Sequence, residues 1–154
     1  MAITLITGAG SGIGLATAVT LARNGHTVIA TMRNPRAASE LSRLVAAEQL
    51  SVTMLALDVD DDASVALAFE KAVSEHGVID VLVNNAGIGG PGSIEETPLS
   101  AFRRIMETNY FGALRCIKAA LPGMRDRRAG CRVYETTDFA LCGRRTNPPD
   151  RRKQ

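Results

Sequence analysis

Thr7-Gly8-Ala9-Gly10-Ser11-Gly12-Ile13-Gly14 decides how the rest of this chain is read. An apolar run with Ile3, Leu5 and Ile6 precedes it, and a helix-compatible segment from Leu15 to Arg23 follows. A strand, a glycine turn and a helix N-terminus together make a place for a phosphate. The first helical turn has N–H groups without intrahelical partners and carries a partial positive charge. The order Gly8, Gly12, Gly14 reads G-x-x-x-G-x-G. That differs from G-x-G-x-x-G, and no Gly-Lys-Ser/Thr follows to make a P-loop. A tight turn without a ligand is the competing reading. It does not need four glycines in seven residues, each of which raises the entropic cost of folding.

Outward from this turn the chain alternates. Thr27 to Thr31 reads as a second strand rich in β-branched residues, after Asn24-Gly25 closes the first helix. Asn34-Pro35 offers an N-cap and a Pro at the first helical position, opening a helix over 36–49 with Leu41, Leu44 and Val45 on one side. Val52 to Leu57 is a third strand. Asp60-Asp61-Asp62 starts a helix expected to bury Val65, Leu67, Ala68, Phe69, Ala72 and Val73 and to end at Gly77. Val78 to Val83 is a fourth strand, apolar throughout except for Asp80. Continuous apolar strands fit a parallel sheet covered on both faces. Gly87 to Pro98 reads as a loop, and Thr97-Pro98 opens a long helix from Leu99 to about Leu121 that Pro122-Gly123 kinks or stops. The expected fold is α/β, a doubly wound parallel sheet in three αβα layers, with four strands. In such sheets ligands bind at the carboxyl ends of the strands, at the switch in strand order.

Composition narrows the class. The 154 residues suit one domain with a real core, 45% hydrophobic and 22% charged, without Trp. No apolar run is long enough to span a membrane, no secretory signal precedes the first strand, and three cysteines without C-x-x-C suggest neither a disulfide framework nor a metal site. A reducing, cytoplasmic setting is the expectation. Charge is uneven: residues 1–124 carry 9 basic and 12 acidic side chains, whereas residues 125–154 carry 9 basic and 4 acidic.

Four motifs at matching intervals resemble the classical short-chain dehydrogenase/reductase family. Thr7-Gly8-(x)3-Gly12-Ile13-Gly14 is similar to its cofactor glycine motif, and Leu57-Asp58-Val59 to its adenine-contacting acidic site. Asn84-Asn85-Ala86-Gly87 is similar to its N-N-A-G motif, and Asn109 in Thr108-Asn109-Tyr110-Phe111-Gly112 to the asparagine of its catalytic tetrad. The resemblance implies a Rossmann-like domain over residues 1–130 that binds a nicotinamide dinucleotide through Thr7, Gly8, Ser11, Gly12, Ile13, Gly14, Asp58, Val59, Asn85, Ala86 and Gly87. It also implies hydride transfer with a small carbonyl or alcohol substrate. The residues carry readings of their own. Asp58, just past a strand, can accept from an exocyclic amine or cap the next helix. Asn84-Asn85 can bind neighbouring strands and a ribose hydroxyl, or serve only a turn. Asn109 without the motif is an ordinary helical Asn.

The end of the second strand bears on cofactor choice. An acidic residue there would receive the ribose 2′-hydroxyl of NAD. This chain has Met32 at that position, followed by Arg33, whose planar guanidinium suits a 2′-phosphate. NADP(H) is therefore favoured over NAD(H), with a solvated loop charge as the plain alternative for Arg33.

The family's hydride transfer also calls for a Ser and for a Tyr and Lys four residues apart on one helix face. Here Tyr110 is followed at that spacing by Leu114 and Tyr134 by Asp138, and no serine follows Ser100. Extending the match through residues 130–137 would put Thr137 at the serine. Arg132 and Glu135 would then occupy opposite faces of a strand expected to be buried. Residues 131–154, with Arg144-Arg145, Pro148-Pro149 and Arg151-Arg152, read instead as a basic, poorly ordered tail from a shifted frame or gene end. Three readings follow: an oxidoreductase by family that is inactive alone, a non-catalytic dinucleotide-binding fragment, and a partner-binding protein acting through the tail. The tail lacks interleaved aromatics, which disfavours nucleic acid. Without a second half the fourth strand is expected at a sheet edge unless the tail pairs with it, and Ile105, Leu114 or Ile117 partly exposed, which predicts marginal stability, self-association or poor solubility.

Overall fold

The structure, a computed structural model, describes residues 1–89 and 95–134. Its elements run β1 (Ile3–Ile6), α1 (Gly12–Arg23), β2 (Thr27–Met32), a 3-10 turn (Pro35–Ala37), α2 (Ser39–Glu48), β3 (Val52–Ala56), α3 (Asp62–His76) and β4 (Val81–Asn84). Then come α4 (Leu99–Met106), a π-helical turn (Glu107–Gly112), α5 (Ala113–Asp126) and β5 (Cys131–Tyr134). The strands form one parallel sheet in the order β3-β2-β1-β4-β5. The order reverses between β2 and β4 around β1, which puts the switch point beside the glycine turn.

Alternation along the strands builds two cores. Leu5, Ile29, Leu55 and Leu82 face α3 and α5, where Ala68, Phe69, Ala72, Cys116 and Ile117 meet them. Ile6, Val28, Ala30 and Val83 face α1 and α2, against Ala18, Val19 and Leu41. Leu5, Ile29 and Leu82 are fully buried, and each contributes about 2 kcal/mol of transfer free energy. This is the expected three-layer α/β architecture. Asn34 Oδ1 caps the 3-10 turn by accepting from the Arg36 N–H at 3.1 Å, so the expected helix over 36–49 begins three residues later. Asp61 caps α3, accepting from Ala63 at 2.8 Å and Ser64 at 3.3 Å. Asp80, the polar exception near the fourth strand, lies just before β4. It accepts from the Ile3 N–H at 2.8 Å and pairs with Arg127 at 2.9 Å, joining the starts of two strands to the end of α5.

Three expectations are corrected. A fifth strand lies past the boundary at residue 130 and pairs with β4 in the register Val81↔Cys131 to Asn84↔Tyr134. The fourth strand is thus not an edge, and β5 is the last strand of the sheet among the described residues. Pro122 does not end its helix. α5 runs through it to Asp126, because the bond that Pro removes would have gone to the carbonyl of Lys118 on the exposed side, while Ala120 and Met124 remain buried. On α3, Leu67 and Val73, expected to be buried, are exposed, while of the three residues any of which was expected partly exposed, Ile105 is half-buried and Ile117 buried. Leu114 does stay exposed, with Met106, Tyr110 and Phe111 nearby in sequence. Thr137, Asp138 and the rest of the basic stretch after Tyr134 lie outside the described residues, as do residues 90–94 of the loop. No helix among the described residues is long and apolar enough to cross a membrane.

Candidate active site

Gly8 sits just beyond β1 with φ +68°, and a Cβ there would stand 2.8 Å from the Ala86 Cα. At Gly14 a Cβ would strike the Asn85 amide nitrogen and lie 2.5 Å from the Gly8 carbonyl. Only hydrogen atoms fit at both points. α1 therefore starts close against the ends of β1 and β4, with its first N–H groups directed at the space above the sheet. Ser11 occupies the N-cap position without spending its hydroxyl on a cap. These free donors, rather than any side chain, are the local reason for an anion site.

The end of β4 is fastened to the same turn. Asn85 Nδ2 donates to the carbonyls of Thr7 at 2.8 Å and Gly8 at 3.0 Å. The buried Thr7 hydroxyl accepts from the N–H groups of Asn85 at 3.1 Å and Ala86 at 3.0 Å. Thr7 thus braces the turn from behind. The adjacent Asn84 is buried, and among the described residues neither atom of its amide has a partner.

These pieces frame a cleft of about 790 Å³ at the carboxyl ends of the strands. It brings together Gly8, Ser11, Ile13, Gly14, Arg33, Asp58, Val59, Asn85, Ala86, Gly87 and Asn109, all singled out in the sequence. Thr7 and Gly12 do not line it. Asp58 is not the cap of α3, a role that Asp61 fills. Its Oδ1 accepts from the Asp60 N–H at 3.1 Å, and its own N–H bonds Ser64 Oγ at 2.9 Å, so the carboxylate is held at the rim. Met32 is buried beside Gly10, leaving no carboxylate at that strand end. Arg33 is exposed on the lining.

Asn109 lies in the π-helical turn, where the backbone takes an extra residue. Its Oδ1 accepts from the Ile88 N–H at 2.8 Å and its Nδ2 donates to the Ile88 carbonyl at 3.0 Å. The side chain thereby fixes the loop that follows β4, which an ordinary exposed Asn would not do. Sequence reasoning missed Asp60, Ile88, Thr108 and Arg104 on the lining. Arg104 lies five residues from Asn109, a separation that α-helical spacing does not bring to one face, and nothing in the residue types announced the π turn. Cys116, on α5, has its thiol pushed up to about 12 by burial, so it is not a nucleophile.

Residues 2–134 match the family model for short chain dehydrogenase. The chain belongs to the short-chain dehydrogenase/reductase family. It is 43% identical over 140 residues to an uncharacterized oxidoreductase, YusZ, of Bacillus subtilis, covering 90% of this chain and 49% of the relative. It is 44% identical over 144 residues to human retinol dehydrogenase 8, covering 90% and 45%. Among solved structures, an alcohol dehydrogenase from Thermococcus sibiricus, complexed with 5-hydroxy-NADP, superposes with a TM-score of 0.79 at 32% identity, covering 87% of this chain and 57% of that one. The chain spans about half the length of the curated relatives it matches. Family membership implies a nicotinamide dinucleotide as cofactor, and the glycine contacts leave a cradle of the kind its pyrophosphate needs.

Proposed function

We propose that this chain is the cofactor-holding part of an oxidoreductase, and that it binds NADP(H) in preference to NAD(H). The observation that carries the reading is the cleft above the switch point, where Gly8 and Gly14 keep α1 against Asn85 and leave its N-terminus open. The pyrophosphate would lie at the first turn of α1, near Ser11 and Ile13. Asp58 and Val59 would meet the adenine, and Asn85, Ala86 and Gly87 the ribose towards the nicotinamide. Such a dinucleotide supplies a hydride acceptor or donor for a carbonyl or alcohol carbon.

The NADP(H) preference rests on two neighbours. Met32 gives a ribose 2′-hydroxyl no acceptor, and Arg33 gives a 2′-phosphate a cation that has no ion-pair partner among the described residues. The inactive reading rests on the residues themselves: the 154 positions contain no Tyr-x-x-x-Lys and no Ser beyond Ser100. Asn109 alone, bound to Ile88, cannot exchange a proton with substrate. Exposed Met106, Tyr110, Phe111 and Leu114 support self-association, which a concentration-dependent elution volume would reveal.

The test is a calorimetric titration of the full chain with NADPH and NADH, repeated on Arg33→Asp. Tighter binding of NADPH, lost in the variant, supports the reading. Equal affinities in both proteins would remove the NADP(H) preference, and no binding of either would remove the dinucleotide reading.

A further inference from the structure

The cleft's adenine side is a loop, Asp58 to Asp61, seated on the core by the buried Val59 and joined to the start of α3 by Asp61. Internally it has the Asp58 bonds already described and one weak turn bond, from the Asp61 N–H to the Asp58 carbonyl at 3.3 Å. Together with Asp62 it gathers four carboxylates in five residues, which repel one another and any incoming phosphate. A cation spanning the loop would hold its outer backbone and offset its charge.

Arg115, on the first turn of α5, meets both needs. Its Nη1 donates to the Val59 carbonyl at 3.2 Å, and its Nε to Asp62 Oδ1 at 2.6 Å. Its Nη2 bonds Glu107 at the start of the π turn. One guanidinium thus spans the loop, the head of α3 and the π turn, using the fork geometry that a lysine lacks. Glu107 is the main cause, ahead of Asp62, of a guanidinium pKa raised further above its ordinary value. Two neighbouring contacts close the joint. The Thr108 hydroxyl donates to Asp60 Oδ2 at 2.8 Å, and Gly112 approaches Val59 so closely that a Cβ would be 2.8 Å from its Cγ2. Asn109, between Thr108 and Gly112, holds Ile88 at the other side of the cleft.

We propose that Arg115 is a positioning residue that holds the Val59 rim of the cleft in register with the π turn, so that the adenine end of the cofactor finds a preformed wall. The proposal rests on the dinucleotide reading. Arg115 does not line the cleft and acts only through Val59, Asp62 and Glu107. The prepaid ordering of the loop is what the ligand gains.

The experiment compares wild type, Arg115→Met, Arg115→Lys and, as a control, Arg23→Met, which breaks the exposed Arg23–Glu48 bridge far from the cleft. Two quantities are read on the full chain: affinity for adenosine 2′,5′-bisphosphate, and amide hydrogen exchange without ligand at Asp60, Ala63 and Ser64. Arg115→Met should bind about tenfold more weakly and exchange faster at those amides, while amides of β1 and β2 stay as in wild type. Arg115→Lys should recover part of both losses, and Arg23→Met should change neither. A general loss of stability would speed exchange in β1 and β2 as well and would overturn the proposal. So would wild-type affinity in Arg115→Met, or wild-type exchange at the three amides. If wild type itself fails to bind this probe, the NADP(H) preference falls, the NADPH and NADH titrations above decide the dinucleotide reading, and the exchange data still decide whether Arg115 holds the loop.

Discussion

The carboxyl ends of β1 and β4 lie side by side, and they are finished differently. At the end of β1, the buried Thr7 hydroxyl serves two amides, and the Thr7 and Gly8 carbonyls take the Asn85 amide. At the end of β4, Asn84 is equally buried and its amide has no partner among the described residues. The first end is complete as a cofactor cradle. The second leaves a polar group unserved where β4 meets β5 and where the family's proton-transfer residues would be sought. Under the proposed function, holding a cofactor and using it are separable in this chain, and the contrast between the two strand ends is where that can be tried.

The comparison breaks most visibly at Gly14. Gly14→Val would drive a branched side chain into Asn85 and the Gly8 carbonyl. NADPH affinity should fall more than about a hundredfold, with several kcal/mol of stability lost, as read by calorimetry and by chemical denaturation. Arg33→Asp comes next. It should lower NADPH affinity by about a hundredfold while leaving NADH within about threefold, since a charged hydrogen bond is replaced by repulsion. Thr7→Val keeps the shape but removes the acceptor of two N–H groups, costing about 2 kcal/mol in a urea titration.

At the other strand end the sign reverses. Asn84→Leu deletes a buried amide that has no partner among the described residues, so the unfolding free energy should rise by about 1 kcal/mol. A loss of that size would mean that Asn84 is served after all. The smallest effect belongs to the exposed Arg23–Glu48 bridge. Its hydrogen bond to Arg23 holds the Glu48 carboxyl below its ordinary range. Its contribution is thus present above the unfolded carboxylate pKa and fades as pH falls through the lowered folded value. Melting temperatures of wild type and Glu48→Gln should converge on acidification, from a difference that is slight even at neutral pH.

The two strand ends also differ in how legible they were. The β1 end is set by backbone: glycine spacing, a strand before and a helix after suffice to read it, and the order of the first four strands follows from the same local signals. Met32 and Arg33 were legible because their place is counted from that strand. The β4 end depends on contacts distant in sequence. β5 was misjudged because Arg132 argued against a buried strand, whereas residues 131–134 pair in register with β4. The π turn has no marker in Glu107-Thr108-Asn109-Tyr110, since it is imposed by Thr108 on Asp60, Arg115 on Val59 and Asn109 on Ile88. Such side-chain bonds form only once the sheet has brought those residues together.

One titration tests the separation of binding from turnover most directly. NADPH is added to the full chain in the presence of a panel of aldehydes and ketones, with nicotinamide fluorescence reporting binding and nicotinamide absorbance reporting oxidation. The account predicts saturable binding with one dinucleotide per chain and no loss of absorbance over many hours. Carbonyl-dependent oxidation of NADPH, or a fluorescence signal that never saturates, would contradict it.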